Sequence, residues 1–143
     1  MRFEFEKKVR FGEIDQAGIV YYPRFFHYFH VAFEELWRAR IGPQAYSEII
    51  DRDRVGFPAV RAECDFKAPL KFGDTAEIEV SITRLGTKSI TFRYRVYRAA
   101  VLDGTRALCA EGQVVCAVVD LAKFVAVPIP ERVNDMLRDL VES

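Results

Sequence analysis

Between Pro23 and about Arg40 the chain carries a helical pattern whose apolar side is unusually wide. At roughly 100° per residue, Phe25, Phe26, Tyr28, Phe29, Ala32, Phe33, Leu36 and Trp37 cover about half the circumference. Arg24, His27, Glu34, Glu35 and Arg38 gather into one polar stripe, within which Glu34 and Arg38 read as an i,i+4 pair. A helix merely laid on a surface buries a narrower band. This one must be wrapped, and a strongly curved sheet enclosing a central helix wraps it. Pro23 suits the first turn, where its missing N–H costs nothing, and Gly42-Pro43 is a stop signal.

The rest of the chain supplies the sheet. Residues 2–11 place Phe3, Phe5, Val9 and Phe11 in period-two register, which predicts a strand with one buried face. Residues 44–54 read as a shorter helix or turn. Residues 59–68 alternate, with Val60, Ala62, Cys64 and Phe66 on one face and Arg61, Glu63, Asp65 and Lys67 on the other. Turns at Phe72-Gly73-Asp74 and Leu85-Gly86-Thr87 bracket a strand over 75–84. A further strand over 88–99 runs to an Asp103-Gly104 turn, and a last one over 106–120 contains Gly112, a candidate bulge. After Pro128-x-Pro130, Val133, Met136, Leu137, Leu140 and Val141 recur at helical spacing. The predicted class is α+β: one domain over 1–143, a curved, mostly antiparallel sheet around one long helix.

Charge and cysteine usage narrow the function. Twenty-one acidic residues balance 21 basic ones, which argues against a nucleic-acid or anionic-membrane binder. No apolar run approaches the roughly 20 residues of a membrane span, and MRFEFEKKVRFGE lacks the apolar stretch of a signal peptide. Cys64, Cys109 and Cys116 are odd in number and scattered, as reduced thiols of a cytoplasmic protein would be. Two histidines without HxxxH leave little for a zinc site.

The stretch GEIDQAGIVYYP, residues 12–23, poses the chemical question: a carboxylate in a bend just before an aromatic segment. Asp15 alone is a turn or N-cap residue as readily as a functional one. The run Asp15–Pro23, D-x-A-G-I-V-x-Y-P, followed by an aromatic-rich helix, resembles the 4-hydroxybenzoyl-CoA thioesterase family of hotdog-fold acyl-CoA thioesterases. Pro69, the Gly73-Asp74 turn and Lys88-Ser89 add weaker support.

The resemblance implies that Asp15 is the catalytic carboxylate, nucleophile or general base, and that the Tyr22 backbone N–H polarises the thioester carbonyl. The first N–H groups of a helix lack internal partners and carry the positive end of its dipole. Aimed at a developing oxyanion, one such donor is often worth about 3–4 kcal/mol. Gly18 lets the chain bend and approach a ligand closely. Family members hold the phenol of 4-hydroxybenzoyl-CoA with a second aspartate on the helix; this chain has His30 there, which implies a small penalty against acyl groups lacking the hydroxyl. Arg84 and Lys88 flank the turn where the family receives CoA and are the phosphate candidates. Tyr21 and Phe25 line the acyl pocket or belong to the core. The implied reaction needs no metal or redox cofactor, with coenzyme A entering as part of the substrate. The family implies homodimers joined edge to edge, commonly paired into tetramers, with the active site at the seam. Two other classes stay open: a non-catalytic acyl-CoA or acyl-carrier binding module, and a dehydratase of the same fold. The latter needs a pocket histidine, and neither His27 nor His30 lies in the loop before the helix.

Overall fold

The computed structural model describes residues 1–102 and 104–143, so the predicted Asp103-Gly104 turn lies partly outside the described residues. Its main sheet has five strands in the order β1-β4-β5-β6-β3, all neighbours antiparallel. These are β1 (Phe3–Lys8), β3 (Ala59–Phe66), β4 (Thr75–Leu85), β5 (Ser89–Arg98) and β6 (Ala107–Ala117). The short strands β2 (Val55–Gly56), β7 (Val119–Asp120) and β8 (Val125–Ala126) form a second, three-stranded sheet.

Helix α1 (Arg24–Ile41) packs on the concave face of the main sheet. It buries Phe25, Tyr28, Phe29, Ala32, Phe33, Leu36 and Trp37, most of the predicted arc. Opposite them, Ile90, Phe92, Tyr94 and Val96 of β5 and Ile78, Val80 and Ile82 of β4 are fully or almost fully buried. Burial of each large side chain contributes roughly 1.5–3 kcal/mol, so this helix–sheet contact dominates the fold. The other sheet face is ionic: Arg95 meets Glu111 at 2.6 Å, and Arg106 reaches Glu77 and Glu79. Helix α2 (Ala45–Asp51) follows α1, and α3 (Glu131–Leu137) closes the chain with a 3-10 turn over Arg138–Leu140.

Several expectations are corrected. The first strand stops at Lys8 rather than running to residue 11. Arg10 N–H donates to Glu13 Oε1 at 2.9 Å while Glu13 N–H donates to Arg10 O, and this reciprocal cap turns Phe11–Glu13 into a 3-10 turn. Phe11 is consequently 73% exposed. Val60 does not share the inward face of β3. The register shifts between Ala59 and Arg61, leaving Val60 as an extra, solvent-facing residue while Ala59 lies opposite Cys116. Gly112 is not a bulge, since it pairs in register with both Cys64 and Tyr94. A Cβ there would lie 2.6 Å from Phe29 Cε2 and 2.7 Å from Glu63 O, so the glycine lets the helix approach the sheet. Glu34 pairs with His30 at 2.7 Å rather than with Arg38.

Candidate active site

The loop between β1 and α1 is built around two short-range devices. Asp15 N–H donates to Ile19 O at 3.0 Å, Gly18 N–H donates to Asp15 O at 2.9 Å, and Ile14 pairs with Val20 in a single antiparallel bridge. Gly18 takes φ +82°, the left-handed conformation this tight loop requires. Within it Asp15 makes an Asx turn: its Oδ1 accepts from Ala17 N–H at 2.8 Å. Among the described residues the other carboxylate oxygen has no partner, and the side chain is exposed.

Glu13 holds this loop against the helix. Its carboxylate accepts from Tyr28 Oη at 2.8 Å and pairs with Lys7 Nζ at 2.8 Å, while its backbone oxygen accepts from Tyr21 N–H. Burial alone would raise its pKa, but the bonds from Lys7, the Arg10 N–H and Tyr28 outweigh that and hold it below the usual glutamate range. Burial, then the bond to Glu13, keeps the Tyr28 phenol above its usual range and so protonated. Sequence reasoning missed this clamp. The available signals were a glutamate three residues after Arg10 and a hydroxyl-bearing side chain inside an otherwise apolar arc.

Two residues beyond Val20, whose N–H donates to Leu70 O, the Tyr22 N–H has no acceptor among the described residues. Pro23 follows in helical conformation and α1 begins. The unpaired donor therefore stands at the helix start, next to the Asp15–Ile19 loop. Beside it lies an open apolar cleft of 430 Å³ between Ile19, Tyr22 and Phe25 on one side and Phe66, Pro69 and Leu70 on the other. Tyr21 and Tyr22 are exposed and Phe25 is buried. Both Tyr22 and Phe25 meet Phe66 edge to face.

The remaining predicted residues lie elsewhere. Lys88 and Arg84 flank the β4–β5 turn, which joins the end of the sheet where Ala59 pairs with Cys116. Thr75–Leu85 spans roughly 33 Å at the rise of a strand, so this turn and the Asp15 loop sit at opposite ends of the sheet. Both basic side chains are exposed, and neither forms an ion pair among the described residues. His30 lies on the rim of a second cleft, of 330 Å³, lined by Phe26, Phe29, Phe33, Ala59, Ala62, Tyr94, Val114 and Cys116 among others. Its Nε2 faces Glu34 and its ring stacks on Phe33. One chain thus carries two separate features at opposite ends of β3: a carboxylate near an unpaired N–H, and an apolar cleft rimmed by His30.

A curved antiparallel sheet holding one long helix is the hotdog fold. Residues 9–137 match the thioesterase-like superfamily, and the chain belongs to that family. It is similar to a 1,4-dihydroxy-2-naphthoyl-CoA hydrolase from Synechococcus elongatus, 32% identical with 95% of each chain covered. It is also similar in structure to a gentisyl-coenzyme A thioesterase, with 32% identity, 92% and 99% coverage and a TM-score of 0.78. A 4-hydroxybenzoyl-CoA thioesterase shares the fold at 21% identity, with 95% and 98% coverage and a TM-score of 0.83. The chain is an acyl-CoA thioesterase of hotdog fold. No helix among the described residues is long and apolar enough to cross a membrane.

Proposed function

We propose that the protein hydrolyses a small aromatic acyl-CoA to the free acid and coenzyme A, at a site shared by two copies of the chain. The observation that carries the reading is the pairing of a half-engaged Asp15 carboxylate with an unpaired Tyr22 N–H at a helix start. Relatives acting on naphthoyl- and gentisyl-CoA support the aromatic class.

The sharing follows from the edge of the sheet. Among the described residues, strand β3 is bonded only to β6 and exposes nearly its whole length. Such an edge seeks a partner, and a two-fold related β3 is the simplest. Antiparallel pairing lays the Phe66 end of one strand beside the Ala59 end of the other. The Asp15 and Tyr22 half-site of one chain then faces the partner's apolar cleft, with the partner's Lys88 turn close by for the CoA phosphates. A tetramer of two such dimers is consistent with this arrangement.

In the reaction the Tyr22 N–H, at the positive end of α1, stabilises the thioester oxygen as it becomes an oxyanion. The Asp15 carboxylate either attacks the carbonyl carbon, expelling the CoA thiolate and leaving a mixed anhydride that water cleaves, or removes a proton from attacking water. Glu13 positions the loop without touching the substrate. A single turnover in ¹⁸O-water, followed by mass spectrometry of acid and protein, marks attack when label enters Asp15. Label only in the acid arises from base catalysis or from water attack at the acyl carbon of the anhydride, and an acyl-protein mass in rapid-quench samples separates those two. A thioester-hydrolysis screen across benzoyl-, hydroxybenzoyl-, naphthoyl- and aliphatic acyl-CoAs tests the whole reading. The expected result is turnover with aryl-CoAs above aliphatic ones, and absence of any thioester hydrolysis overturns it.

A further inference from the structure

The apolar cleft beside His30 contains one side chain that its packing does not explain. Tyr94 forms part of the wall yet is only 2% exposed, with its ring flat against Phe29 at 4.8 Å and 8°. Among the described residues its hydroxyl has no hydrogen-bond partner. Unlike Trp37 Nε1 and Glu79 Oε1, which are sealed off without a hydrogen-bond partner, the Tyr94 hydroxyl keeps accessible surface in a residue that lines the cleft, and a wall built for packing alone would be served by phenylalanine. Two polar groups that interact with it are also partly desolvated. Burial pushes the Cys116 thiol up to about 11, and burial, then Cys116 and Glu34, pushes the Tyr46 phenol up to about 12. Burial first, then Cys116 and Tyr46, drives the Tyr94 phenol well above its usual range. All three stay neutral, and Tyr94 keeps a proton to donate.

We propose that Tyr94 is a specificity residue whose hydroxyl donates a hydrogen bond to an oxygen substituent on the ring of an aromatic acyl group seated in this cleft. The proposal rests on the thioesterase reading above and narrows its substrate class to oxygenated aryl thioesters. Phe29 and Phe33 give the ring aromatic walls, and Tyr94 supplies a buried donor along one of them. His30 acts at the mouth, where Glu34 already engages its Nε2. A ring lacking the oxygen would leave the Tyr94 hydroxyl unpaired in a closed site, the situation that gives hydrogen-bonding pockets their discrimination. This revises the expectation of weak discrimination drawn from His30 alone.

The test uses thioether analogues that cannot be hydrolysed: phenacyl-CoA and its 2-, 3- and 4-hydroxy derivatives, with binding to the intact protein measured by calorimetry. The parent should bind at least one hydroxylated analogue about tenfold or more tighter than phenacyl-CoA. Tyr94→Phe should reduce that preference to less than about threefold, in part by tightening phenacyl-CoA itself, because no hydroxyl is then left unpaired against the bare ring. Equal binding of all four analogues by the parent, or a preference that survives in Tyr94→Phe, overturns the proposal. Binding is read without turnover, so the outcomes separate. Discrimination at Tyr94 without hydrolysis of the matching thioesters refutes the thioesterase reading. Hydrolysis without discrimination at Tyr94 refutes only this inference.

Discussion

Gly112→Ala is the substitution for which the fold makes its sharpest demand. The new Cβ would stand 2.6 Å and 2.8 Å from two carbons of the Phe29 ring and 2.7 Å from the backbone oxygen of Glu63. The ring is stacked on Tyr94 and packed into the core, and the oxygen belongs to the adjoining strand, so neither can swing aside. Overpacking of this kind costs about 1–3 kcal/mol, and contact with backbone puts the expectation at the upper end, about 2–3 kcal/mol. Gly12→Ala is the internal control, because nothing lies within 4 Å of its added methyl. There the reduced freedom of the unfolded chain should leave stability unchanged or raised by up to about 1 kcal/mol. Urea unfolding of the three proteins at one fixed concentration gives the comparison directly. A Gly112→Ala protein within about 0.5 kcal/mol of the parent would refute the close helix–sheet approach on which both clefts depend.

Three further outcomes follow from the same geometry. Glu13→Gln should cost about 1–2 kcal/mol at pH 7, since it breaks charge-assisted bonds to Lys7 and Tyr28. Because the folded carboxyl titrates below the ordinary 4.5, the parent's advantage should be whole above that pH and fade as pH falls beneath it; a gap of equal size at pH 7 and pH 3 would contradict the clamp. Asp15→Asn should lower kcat by at least about 10²-fold with binding of the analogues preserved, and a folded variant turning over at the parent rate would remove Asp15 from the chemistry. Sedimentation at micromolar concentration should show at least two chains per particle, and a fully active monomer would be inconsistent with the shared site.

Much of the fold was legible because it rests on periodicity. The eight aromatic and aliphatic residues of α1 mark its buried side directly, and only Phe26 among them remains half exposed, at the border of a cleft. The strand faces of β5 follow the same rule. What failed was register, which depends on partners distant in sequence. The shift at Val60 is set by pairing with β6, some 55 residues away, and nothing within residues 59–68 announces it. The role of Gly112 is set by Phe29 on another element, so the residue looked like a bulge. At the site, Asp15, Gly18 and Tyr22 were legible as one contiguous motif. Glu13 and Tyr28 were not, because each becomes meaningful only when the 3-10 turn brings them to 2.8 Å. Tyr94 was hidden for another reason: in a strand pattern it reads as one more inward aromatic, and only its unpaired hydroxyl sets it apart.

The central claim, that one chain's Asp15 works against another chain's cleft, is tested most directly by mixing two inactive variants. One is Asp15→Asn; the other is Ala62→Trp, which fills the cleft with an indole, and each is first confirmed to assemble. After dissociation and reassembly at equal concentrations, half of the dimers should be mixed, and each mixed dimer restores one of its two sites. Aryl-CoA hydrolysis should therefore rise from near zero to about a quarter of the parent's specific activity, as random two-fold assembly requires. If carboxylate and cleft served the same site within a single chain, no mixed dimer would contain an intact pair, and activity that stays near zero would contradict the account.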